Sequence, residues 1–169
     1  MIGSYTKKIG LDLKKISLIS KNNRIIIDNL ILDNKNKIVK VDKIDLDYLD
    51  NDNLKNKFIF NRSKKNDYIL KGSLLNANTI ITKLLESKND QQLDIFKENI
   101  NISLNFSDVY FDNEYVVKNL NGKLSIIDNK VDHVNISALF DDNNDFKFTI
   151  NTKDDEKITT LYSTKARPF

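Results

Sequence analysis

YILKGSLLNANTIITKLLESK, residues Tyr68–Lys88, decides how the rest of the chain is read. It opens as a short strand, breaks at Gly72-Ser73, and then offers the one convincing helix pattern in the sequence. Asn76 or Asn78 can cap that helix, because a short polar side chain accepts a bond from an early unpaired N–H. Ile80, Ile81, Leu84 and Leu85 then fall on one stripe at helical spacing. Ser87-Lys88-Asn89-Asp90 ends it. Almost everything outward from this stretch alternates with the period of a strand.

On the C-terminal side the alternation is clean. In Asn99–Ser107, Ile100, Ile102, Leu104 and Phe106 share one face, and Asn and Ser take the other. Asp108 breaks the phase, and Val109 and Phe111 restart it on the opposite parity, which predicts a bulge or bend. Val116–Ile127 is one long strand or a pair around Asn121-Gly122. Beyond the turn at Asp128-Asn129-Lys130, Val134, Ile136, Ala138 and Phe140 alternate, then Phe146, Phe148 and Ile150, then Ile158, Thr160 and Tyr162. On the N-terminal side, Ile9, Leu11 and Leu13 begin a first strand. Arg24–Asp33, Ile38–Val41, Ile44–Tyr48 and Lys57–Asn61 follow, separated by turns at Lys21–Asn23, Asp33–Asn36, Asp50–Asn53 and Ser63–Asp67.

Turn signals recur roughly every 8–12 residues, the mark of antiparallel β structure. The expectation is a mainly β fold. Antiparallel meandering strands form an open groove or a sandwich, with one short embedded α-helix over about residues 77–88. Residues 1–67 read as an N-terminal strand segment and 68–169 as a second β segment carrying the helix. Each strand is apolar on one face only, so the strands must pack face to face, close up, or keep an apolar surface that binds something.

Composition narrows the chemistry. Of 169 residues, 40% are apolar and 30% charged, enough apolar material for a core. There is no Cys, hence no disulfide and no thiolate nucleophile or metal ligand. The net charge of +3 comes from lysines interspersed with aspartates and travels with heavy use of Asn and Ile. That is a compositional bias rather than a nucleic-acid patch, and no nucleic-acid partner is expected. The first residues lack the apolar core and cleavage site of a signal peptide, and no run approaches the roughly 18 apolar residues of a membrane-spanning helix. The chain taken alone is expected to be soluble and without a transmembrane segment.

No catalytic constellation is visible, so catalytic residues, metal ligands and cofactors are all predicted to be none. His133 is the single histidine, on the polar side of its strand. One His without Cys excludes the usual zinc sites. Asp141–Asp145 has the composition of a calcium loop without its Gly and distal Glu, and Asp154-Asp155-Glu156 is a similar acidic turn. Asn61, Asn101, Asn105 and Asn135 sit in glycosylation sequons that so Asn-rich a chain yields by chance. Strand aromatics read as core. Without basic residues grouped around them they make no platform for bases.

The second half also carries a resemblance. Leu70-Lys71-Gly72-Ser73-Leu74-Leu75-Asn76-Ala77 with the helix Thr79–Leu85 is followed by Ile102–Phe106, Val117–Leu124 and Leu161–Ala166. In that order they resemble motifs of the YhdP-type, AsmA-like envelope proteins of Gram-negative bacteria, with Lys165 and Arg167 where that family has an acidic residue and Gly. The resemblance covers about residues 68–169. It implies a non-enzymatic segment of a long β-groove protein, anchored in the inner membrane, projecting through the periplasm, and implicated in phospholipid transport and outer-membrane homeostasis. It also implies that this chain is one segment of a longer or split reading frame, lacking the family's anchor.

The candidate groove-lining residues are Ile100, Ile102, Leu104, Phe106, Ile136, Phe140, Phe146, Phe148 and Ile150, which would hold phospholipid acyl chains. The alternatives are an ordinary closed core built from these same residues, a structural module that pairs with neighbouring segments of the same protein by strand addition, and a non-functional fragment. A carbohydrate-binding or adhesive domain is a more distant reading, since the chain has no Trp to build a sugar platform.

Overall fold

The computed structural model describes residues 2–6, 10–78, 95–111, 115–141, 144–153 and 156–164. Twelve strands form one sheet: β1 (Ile2–Thr6), β2 (Gly10–Ile19), β3 (Arg24–Leu32), β4 (Ile38–Lys40), β5 (Lys43–Leu49), β6 (Lys55–Lys64), β7 (Asp67–Asn76), β8 (Ile100–Tyr110), β9 (Val116–Ile127), β10 (Lys130–Asp141), β11 (Asn144–Lys153) and β12 (Glu156–Ser163). They lie side by side in chain order, except that the short β4 pairs off the path with β3, so that β3 also neighbours β5. Among the described residues the sheet does not close and has no second layer of strands, which is the open form rather than the sandwich. It runs unbroken across residues 67 and 68, where β6 and β7 pair.

Every neighbouring pair is antiparallel but one. β7 and β8 run parallel, from Asp67 opposite Asn101 to Asn76 opposite Tyr110. Parallel neighbours need a crossover of roughly a dozen residues or more, and residues 77–99 supply it. The helix expected over 77–88 lies, after Asn78, outside the described residues, and among those described only Asn78 is helical. There Asn76 Oδ1 accepts the Asn78 N–H at 3.1 Å. The crossover returns beside β4: Ile38 N–H donates to the Ile95 carbonyl at 2.7 Å, and Lys97 N–H to the Ile38 carbonyl at 2.9 Å.

The asparagines explain the turns. Among the described residues seven other than Gly adopt positive φ, and all are Asn or Asp. These are the residues whose short polar side chain best tolerates left-handed backbone. Two hairpins use one design. Asp33 and Asp50 each accept, through Oδ1, the N–H groups two and four residues on, and Asn36 (φ 62°) and Asn53 (φ 60°) supply the left-handed step. At the β9–β10 hairpin Asp128 (φ 49°) and Asn129 (φ 62°) form the two-residue turn in which both residues must be left-handed. Two more, Asn29 and Asn119, lie inside strands instead. Asn119 (φ 53°) sits where β8 and β9 change phase, so that Phe106 and Val109, on opposite parities, are both buried. The bulge expected at Asp108 is not there: Asp108 pairs in step with Lys118 and Leu74, and the left-handed residue lies across from it in β9.

Candidate functional site

The strand registers assemble one apolar face. Starting from β2, the residues opposite one another are Ile16, Ile27, Ile44, Phe60 and Leu70. The same row continues through Leu104, Gly122, Ile136, Phe148 and Leu161 on β12. Directly paired residues project to the same side of a sheet, so one row crosses ten strands with no polar side chain. A parallel row carries Ile102, Leu124, Val134 and Ile150.

All nine candidate residues belong to this face. Ile100, Ile102, Phe106, Phe146 and Ile150 are buried. Leu104, Ile136, Phe140 and Phe148 are half-buried against the same clusters. The sequence reading missed the equal share of the N-terminal half. Phe60 stacks on Tyr68 with ring centres 4.6 Å apart, and Phe96 of the crossover tilts against both. Burial pushes the Tyr68 phenol above its ordinary pKa. The alternation of Ile44 and Leu46, already visible in the sequence, was the available signal for that half.

Two glycines let side chains of the face meet across strands. Gly72 lies opposite both Phe58 and Phe106. A Cβ there would collide with the Lys57 carbonyl oxygen and lie 2.6 Å from Phe58 Cβ. With no side chain in the way, the Phe58 and Phe106 rings meet edge to face at 6.2 Å from strands two apart. Gly122 is equally tight: a Cβ there would lie 2.5 Å from the Asn135 carbonyl oxygen. Neither glycine breaks its strand: β7 and β9 both run straight through.

The face is concave at one end. Phe111, just after β8, meets Phe146 of β11 at 5.0 Å and Phe140 of β10 at 6.3 Å. Strands three places apart would be about 14 Å apart in a flat sheet, so the sheet coils there. Toward β12 the face opens, and Leu161 is 51% exposed. The best-formed hollows among the described residues measure about 210 and 300 Å³. The first is lined by Ser137, Leu139, Asp145 and Lys147 of the opposite face together with Asn119, Ala138 and Phe146. The second is polar, lined by Asp42, Arg62 and Ser63–Lys65.

The opposite face is polar. In β2–β6 it carries charged ladders, with Arg24 donating to Asp45 at 2.9 Å, and Lys55 paired with Asp47. In β7–β12 it carries amides and hydroxyls, such as Asn105 donating to Asn121 Oδ1 at 2.6 Å and Ser125 to Asn101 Oδ1 at 2.9 Å. His133 is exposed on this side, opposite Ser125 and Asn151. The sequon residues Asn101, Asn105 and Asn135 are exposed there too. Among the described residues no three His, Asp or Glu side chains gather as metal ligands, and no helix is long and apolar enough to cross a membrane.

Comparison with protein-family models, with curated proteins and with solved structures returned no match.

Proposed function

We propose that this chain is a non-enzymatic lipid-holding segment whose apolar sheet face receives phospholipid acyl chains. The observation that supports the reading is the apolar row that crosses ten strands of a sheet that does not close. Most of the row is half-buried by its own neighbours and it becomes exposed at Leu161. An apolar face that no second sheet covers is where an apolar ligand would bind, and the charged and amide ladders of the opposite face favour this side. Acyl chains suit the site because it asks for length and apolarity and offers no convergent polar groups. The order of the four AsmA-like motifs supports the same reading, and with it a place in the bacterial cell envelope.

The test is photo-labelling with a phospholipid carrying a photoreactive group in its acyl chain. Labels should map to β8, β10 and β11 residues of the apolar face, with Ile136 and Phe148 among them. Phe148→Asp should keep the β-type circular dichroism spectrum and cut labelling about tenfold, since a carboxylate beside an acyl chain loses its hydration. If Phe148→Asp unfolds the chain, the face is a closed core and the proposal fails. Labels confined to the polar face would end it equally.

A further inference from the structure

The outer edge of β12 has features that fit a second copy of this chain. Among the described residues β12 pairs with β11 alone, and that ladder runs in step from Phe146 opposite Ser163 to Lys153 opposite Glu156. Proteins protect such edges with a bulge, a proline or a mid-strand charge. β12 has none of them: its only charges are Glu156 and Lys157 at its start. Instead it displays Ile158 at 58%, Leu161 at 51% and Tyr162 at 50% exposure.

We propose that two copies join by antiparallel pairing of β12 with β12, centred on Thr160. The strand is self-complementary in that register. Ile158 meets Tyr162 of the second copy on the polar face, and Thr159 meets Leu161 on the apolar face. Lys157 falls opposite Ser163 and Glu156 opposite Thr164, so no like charges oppose one another. A two-residue slip would instead set Lys157 against Leu161. The pairing is two-fold symmetric, so each contact occurs twice and the assembly closes as a dimer. Both faces keep their sides, and the apolar row of each copy ends at Leu161 beside Thr159 of the other, so the two apolar faces lie side by side on one surface. The proposal stands independently of lipid binding.

Sedimentation equilibrium of the whole chain tests it, with two double variants at exposed positions. Wild type should dimerise. Ile158→Lys with Tyr162→Lys sets lysine against lysine at two sites and should weaken the dimer about tenfold or more. Ile158→Lys with Tyr162→Glu sets lysine against glutamate and should restore it. Circular dichroism should be the same for all three. A wild type that remains monomeric to its solubility limit overturns the proposal. So does a dimer that the double lysine leaves intact, or a weakening that the lysine–glutamate pair fails to reverse.

Discussion

Asp50 holds together more of the chain than its place in a turn suggests. Its Oδ1 accepts the Asp52 and Leu54 N–H groups, and its Oδ2 accepts the side-chain amides of Asn56 and Asn76. Asn56 is buried, 1% exposed, and its own Oδ1 accepts the Asn76 N–H at 2.8 Å. The β5–β6 turn is thereby tied to the end of β7, where the crossover departs. Burial alone would raise the Asp50 pKa. The donors, led by the Asn76 amide, outweigh it and hold the carboxyl below its ordinary value. A depressed folded-state pKa gives stability that is present above the unfolded value, about 3.9, and is lost as pH falls through the folded value. Asp50→Ala should cost about 1–3 kcal/mol in urea unfolding at neutral pH, because it removes the acceptor of four N–H groups and leaves the buried Asn56 amide only its longer bond to the Leu54 carbonyl. It should also flatten the loss of stability below about pH 4. An unchanged acid limb would show that Asp50 carries no linked proton.

Among the elements, β7 shows what the sequence reveals and what it hides. Its alternation and the turn before it were legible. So were the turns at Asp33 and Asp50, since aspartate followed three residues later by asparagine has a local mechanism. Gly72 reads as a break when only neighbours along the chain are considered. Across the sheet it is the place where Phe58 and Phe106 need room, and that demand comes from strands distant in sequence. The parallel pairing with β8 was hidden for the same reason, as was β1. Nothing in Asn89–Asn99 announces that Phe96 will pack on Phe60 and Tyr68. The candidate face was legible in β8, β10 and β11, where polar residues alternate strictly. It was obscured in β2 and β3, where apolar residues run together. Gly72→Ala tests the cross-sheet account. It should lower stability by about 1–3 kcal/mol, through overpacking against Lys57 and Phe58. Wild-type stability would mean that the two rings do not depend on the gap.

At the scale of the molecule, the decisive property is one apolar face that no second sheet covers among the described residues. Hydrophobic stabilisation here comes from side chains that bury one another across strands, and it weakens toward β12, where exposure rises. A ligand that fills that region should therefore stabilise the fold. Titrating phospholipid in mild detergent should raise the melting midpoint progressively, because a ligand bound only to the folded state adds about 2.7 kcal/mol at a hundredfold excess over Kd. A midpoint indifferent to phospholipid, but raised equally by detergent alone, would argue against acyl-chain recognition.

The strand order follows the chain order, and the backbone contacts of each strand are chiefly with its immediate neighbours. Such a sheet has a length that natural selection can edit. Adding or deleting one hairpin leaves every later strand pointing the same way and every later side chain on its original face, because two strands restore both direction and parity. Duplication within a gene would lengthen the apolar face by about 10 Å per hairpin without redesigning what lies on either side. The β7–β8 step resists such editing, since there two strands run the same way and the chain must cross over to join them.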